Sequence, residues 1–94
     1  MSENGAMENL SRNEIKELLA GWIVESLEDL GGKAHLVEVA KMLWKQRGKE
    51  IANMGDLLFT WQYDYRWAAT HLRESGTLKP SKGGIWEMEY KSPL

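Results

Sequence analysis

The sequence predicts a small, mainly helical α+β domain, three helices followed by a short β-hairpin. Three observations carry this. Apolar residues recur at helical spacing in three separate stretches, glycine pairs punctuate the chain between elements, and a short segment near the C-terminus alternates apolar and polar residues. The hydrophobic fraction of 43% is that of a chain with a packed core. Five Trp, three Tyr and one Phe give a domain of 94 residues large side chains to bury.

Residues 1–10 show no periodicity and read as a tail, and 91–94 as another, leaving one domain over 11–90. The first helix is expected over 11–30. Ser11 and Glu14 have the spacing of a capping box, in which each side chain accepts from a backbone N–H of the first turn. Ile15, Leu18, Leu19, Trp22, Ile23, Ser26, Leu27 and Leu30 then form one stripe, and Gly31-Gly32 ends it. Lys33-Ala34 reads as an extended link. A second helix is expected over 35–47, with a stripe of Leu36, Val39, Ala40, Leu43 and Trp44, His35 near its start and Gly48 as its stop. Residues 48–56 read as a connector.

A third helix is expected over 56–75, its apolar set being Leu58, Trp61, Tyr65, Ala68, Ala69 and Leu72. A strand at 77–79, a turn at 80–84 and a strand at 85–90 complete the chain, with Ile85, Glu87 and Glu89 alternating against Trp86, Met88 and Tyr90. The expected core is Leu19, Trp22, Ile23, Val39, Leu43, Ala68, Leu72 and Trp86. Three helices and a hairpin with a Gly-rich basic tip is the order of a winged helix-turn-helix. The plainer reading of the same order is a three-helix bundle carrying a hairpin.

The run Arg66-Trp67-Ala68-Ala69-Thr70-His71-Leu72-Arg73-Glu74-Ser75-Gly76-Thr77-Leu78, followed by Gly84-Ile85-Trp86-Glu87, resembles the end of winged-helix domains, and most closely the N-terminal domain of Mrr-type restriction proteins. The run Gly32-Lys33-Ala34-His35-Leu36-Val37-Glu38-Val39 is similar to the second-helix entry of winged-helix regulators. The resemblance covers about residues 12–90 and rests on short, mostly structural motifs. With no nuclease motif beside it, it implies a DNA-binding module and no cleavage.

The net charge of −2 disfavours indiscriminate nucleic-acid binding. Its distribution is uneven: residues 1–30 carry two basic and seven acidic groups, and residues 31–54 carry five basic and two acidic. In a winged helix the third helix reads bases. Its outward side is expected to carry Phe59, Tyr63, Arg66, Trp67, Thr70 and Glu74, with Gln62 and Arg73 on the flanks. Arg bridges two guanine acceptors, Gln pairs with adenine, and Thr contacts bases or phosphates. The candidate DNA-binding set is therefore Gln62, Tyr63, Arg66, Thr70 and Arg73, with Lys79, Ser81 and Lys82 of the hairpin against phosphate. The ordinary reading of these residues is a solvated helix face and a solubilising turn. Tyr63 and Trp67 are large for a polar face, and burial within the domain is the first expectation for them. The wing, the 48–56 connector, a second subunit and DNA are the candidate covers.

No cysteine is present, which excludes disulfides, thiolate metal ligands and cysteine nucleophiles. His35 and His71 stand alone on different helices, without a second ligand at metal-binding spacing. Asp56 and Asp64 surround no evident pocket, no serine triad emerges, and Gly83-Gly84 lacks the pattern of a phosphate loop. No enzyme, cofactor, metal or small-molecule substrate is expected, and with no apolar span a cytoplasmic protein is. Two functions fit: a small transcription regulator that binds double-stranded DNA, acting as a homodimer or with a partner because one module buries little area, or a protein-interaction module that docks through Tyr63 and Trp67.

Overall fold

The computed structural model describes residues 10–89, so the expectations for residues 1–9, for Tyr90 and for 91–94 fall outside it. Three helices and a two-stranded antiparallel sheet follow the order α1 (Arg12–Asp29), β1 (Lys33–His35), α2 (Leu36–Ala52), α3 (Leu57–Glu74), β2 (Ile85–Glu87). The protein is a mainly helical α+β fold.

Local chemistry accounts for the ends of α1. The Ser11 hydroxyl accepts from the Glu14 N–H at 3.1 Å, and the Ser11 N–H donates to Glu14 Oε1 at 2.8 Å. These reciprocal bonds satisfy donors that the first turn leaves unpaired. The helix closes through Gly31 and Gly32, both at positive φ. Its apolar stripe buries Leu19, Trp22, Ile23 and Leu27 against α2 and α3.

The second helix runs beyond its expected stop. Gly48 lies within α2 and is buried, and Ile51, one turn on, is fully buried. The core therefore continues the helix past a residue that reads as punctuation. Gly48 serves close approach, since a Cβ there would lie only 3.2 Å from the Trp44 ring. At the other end His35 is the N-cap, its Nδ1 accepting from the Val37 N–H at 3.1 Å. Arg47 ties α2 to α1: it donates to both Glu25 oxygens at 2.8 and 3.0 Å, and its guanidinium lies 5.3 Å from the Trp22 ring centre.

The sheet differs from the expected hairpin. Lys33-Ala34, expected to be an extended link, and His35, expected to open the second helix, form a strand that pairs with β2 in the register Lys33 to Glu87, Ala34 to Trp86 and His35 to Ile85. Residues 77–79 contribute one bridge, Leu78 to Met88, supported by Lys79 N–H to Glu87 carbonyl at 2.9 Å and Glu89 N–H to Thr77 carbonyl at 2.8 Å. Pro80 follows immediately and has no N–H to continue a ladder. The chain reverses over Lys82–Ile85, where Gly83 and Gly84 both have positive φ, the requirement of a tight hairpin turn that glycine meets without strain.

All eight expected core residues are buried. On α3 the inward residues are Leu57, Trp61, Asp64, Tyr65, Ala68, Ala69 and Leu72, so Leu57 takes the place expected of Leu58. Ala68 and Ala69 are fully buried where α3 packs on α1. Trp44, expected in the α2 stripe, is 43% exposed and stacks on Trp61, with centroids 5.6 Å apart and planes at 16°.

Candidate nucleic-acid interface

Tyr65 fixes how α3 presents its outward face. Its ring packs at 5.2 Å on Trp86 of β2 and at 5.6 Å on Trp61, and its hydroxyl donates to the Leu36 carbonyl at 3.1 Å. One side chain thus joins α3 to the start of α2 and to the sheet. Burial pushes its phenol above the ordinary tyrosine value, which keeps it a neutral donor.

Two stripes occupy the opposite side of α3. The first follows Gln62 and Arg66, both exposed, and borders the start of α2. Between them lies an open groove of about 270 Å³, lined by Leu36, Val37, Ala40 and Lys41 of α2 and by Gln62, Tyr65 and Arg66 of α3. The next two candidates on this side have partners within the helix. Thr70 donates its hydroxyl to the Arg66 carbonyl at 3.1 Å and accepts from Arg73 Nη2 at 3.2 Å. Arg73 is half-buried, with Nη1 enclosed and unpartnered.

The second stripe is aromatic, and its Tyr63 and Trp67 border α1. Phe59, Tyr63 and Trp67 are 83%, 61% and 50% exposed. The expected burial of Tyr63 and Trp67 within the domain is not found. Their rings meet edge to face at 6.4 Å, and among the described residues neither the turn nor the connector covers them. Residues 48–52 of the expected connector belong to α2 instead. With Arg12 and Lys16 of α1 the two rings wall a cleft of about 290 Å³. Asp64 also lines this cleft, 4% exposed, accepting from the Thr60 hydroxyl at 3.0 Å and paired with Arg12 at 3.4 Å. The sequence reading placed Asp64 beside no evident pocket and gave no sign of its burial, and the structure places it in this cleft. The signal available was Thr60 four residues earlier, one helical turn away on the same side.

The hairpin candidates separate. Lys79 is bound to Glu87 at 3.3 Å and half-buried, whereas Ser81 and Lys82 are exposed at the turn. Lys33 of β1 joins Lys82 there, on the rim of a shallow hollow with Pro80, Ile85 and Glu87. Among the described residues, Gln62, Tyr63, Ser81 and Lys82 are therefore exposed without an intramolecular side-chain bond, Arg66 is exposed beside the Tyr65 hydroxyl, and Thr70, Arg73 and Lys79 are engaged within the fold. Among the described residues no group of three His, Asp or Glu side chains is placed to hold a metal ion, and no helix is long and apolar enough to cross a membrane. No family model matches the chain, and neither a curated protein nor a solved structure does.

Proposed function

We propose that the protein is a winged-helix domain that binds double-stranded DNA as a small cytoplasmic regulator, with α3 in the major groove and the Lys82 turn on the backbone. The resemblance to the Mrr-type N-terminal domain is part of this proposal. The element order supports it, with a strand between α1 and α2 laid against the last strand. The observation that carries it is the exposed pair Gln62 and Arg66, side by side on the outward face of α3 and next to the start of α2. A helix of this width fits the major groove, where Arg reaches both acceptors of guanine and Gln both groups of adenine. Lys82, Lys33 and Ser81 supply phosphate contacts that hold register without reading sequence.

The test is selection of a duplex from a random pool, then anisotropy titration at two salt concentrations. Binding should weaken as salt rises. Arg66→Ala should cost about 1–3 kcal/mol and relax preference at one base pair, whereas Lys82→Ala should weaken all duplexes alike and lower the salt slope by about one unit. No salt-sensitive binding at high micromolar protein would falsify direct DNA recognition. A second reading, a protein-docking module on the same scaffold, is favoured by the exposed aromatic stripe.

A further inference from the structure

Five large apolar side chains of the described residues remain exposed, and four of them are aromatic. The fifth, Val37, is 45% exposed at the start of α2. Valine is a weaker helix former than alanine or the long charged residues, so helix formation does not call for it there. Val37 lines the groove that also holds Gln62 and Arg66, with Leu36 and Ala40 beside it and Lys41 on the rim. Its position is tightly held. The Leu36 N–H donates to the Gly84 carbonyl of the Lys82 turn at 2.9 Å, and the Leu36 carbonyl accepts from the Tyr65 hydroxyl of α3 at 3.1 Å. The Val37 N–H itself donates to His35 Nδ1 at 3.1 Å. Val37 therefore stands where the turn, the start of α2 and the outward face of α3 meet.

The major-groove edges of the bases present donors, acceptors and one apolar group, the 5-methyl of thymine. Gln62 and Arg66 answer the donors and acceptors, and the wall of Val37 and Ala40 matches the methyl. We propose that Val37 is a specificity-determining residue whose side chain covers the 5-methyl group of a thymine among the base pairs that Gln62 and Arg66 span. The inference rests on the duplex-binding reading of α3 and deepens it, since it names a base feature that the polar pair alone does not select. The spacing fits. Four residues are about 6 Å along a helix, and base pairs are about 3.4 Å apart, so Gln62 and Arg66 reach pairs about two steps apart. The groove beside them, on the α2 side, faces the same short stretch of duplex. Val37 offers phosphate neither a charge nor a side-chain donor, so its contribution there is to base identity. Lys41, paired with Glu38 at 3.7 Å, borders the groove without filling it.

The experiment uses the duplex selected from the random pool, resynthesised with 2′-deoxyuridine in place of each thymine in turn. Each replacement removes one methyl and leaves every base-pair hydrogen bond. One replacement should weaken binding of the unmodified protein about fourfold, the worth of one buried methyl. Val37→Ala should weaken binding to the thymine duplex by a similar factor, and should then bind the thymine and deoxyuridine duplexes alike. Its salt slope should equal that of the unmodified protein, because no phosphate contact is lost. Alanine at this exposed helical position favours folding, and circular dichroism checks it. Salt-sensitive binding that no single deoxyuridine weakens overturns the inference and leaves the duplex reading standing. So does a Val37→Ala protein that still prefers thymine by the original factor. Absence of any duplex binding overturns that reading, and the inference with it.

Discussion

Replacing Gly48 by alanine sets two effects of similar size against each other. In a helix interior alanine is favoured over glycine by about 0.8–1 kcal/mol. Gly48 is interior to α2, so that gain is available. Against it, a Cβ at this position would lie 3.2 Å from two carbons of the Trp44 ring, and the ring must shift by a few tenths of an ångström. Trp44 is half exposed and has room to move outward, but doing so loosens its stacking on Trp61. Such aromatic pairs contribute about 0.5–1.5 kcal/mol beyond the area they bury. The two terms nearly cancel, and Gly48→Ala should change stability by less than about 0.5 kcal/mol. In a Trp44→Ala background the opposing term is gone, and the same substitution should stabilise by about 1 kcal/mol. Urea unfolding followed by far-ultraviolet circular dichroism, rather than by tryptophan fluorescence, measures all four proteins on one signal. Effects of Gly48→Ala that agree within about 0.3 kcal/mol in the two backgrounds would show that ring and glycine are independent, and the reasoning fails.

The same assay checks three further outcomes. Leu72→Ala should cost about 2–5 kcal/mol, because Leu72 is buried at the end of α3; a loss below about 1 kcal/mol would place it outside the core. Gly84→Ala should cost more than Gly83→Ala by about 1 kcal/mol: both have positive φ, but only at Gly84 does the added carbon fall 2.9 Å from Nε2 of His35, the N-cap of α2. Equal costs would mean that the cap does not feel the turn. Ser26→Ala should be neutral or stabilising, since the Ser26 hydroxyl is fully buried without a partner. A loss above about 1 kcal/mol would show that the hydroxyl is bonded in solution.

What was legible in the sequence is what local chemistry decides. Ser11 with Glu14, His35 before Val37, and Gly31-Gly32 act within one turn of themselves, and their helix ends follow. The extension of α2 was not legible, because the burial of Ile51 depends on packing with distant elements while Gly48 offers only a local stop signal. The partner of β2 was hidden for the same reason. Alternation shows that residues 85–87 form a strand with one buried face, and it carries no information about whether 33–35 or 77–79 lies beside it. In the candidate site, periodicity placed Gln62 and Arg66 outward, as they are, whereas Tyr63, on the same side, was expected to be covered within the domain and is exposed. Thr70, Arg73 and Lys79 have intramolecular partners that spacing does not reveal, the first two one another and the third Glu87 across the strands.

Tryptophan shows the limit most clearly. Trp61 and Trp67 share one helix and one chemistry, yet Trp61 is buried and Trp67 is half in water. Six residues at 3.6 per turn carry the second ring well round the helix from the first, so geometry alone explains the difference. What it does not explain is why large aromatics were kept on the outward side. The core already holds Trp22, Trp61, Tyr65 and Trp86. The exposed parts of Phe59, Tyr63 and Trp67 forgo the favourable transfer of their apolar area, and only their covered parts and the Tyr63–Trp67 ring contact contribute to folding. The exposed area yields free energy only when a second surface covers it. Phe59, the most exposed of the three, therefore adds little to the stability of the domain, and Phe59→Asp should leave the unfolding free energy within about 0.5 kcal/mol, whereas a loss above about 1 kcal/mol would show that its ring is covered in solution.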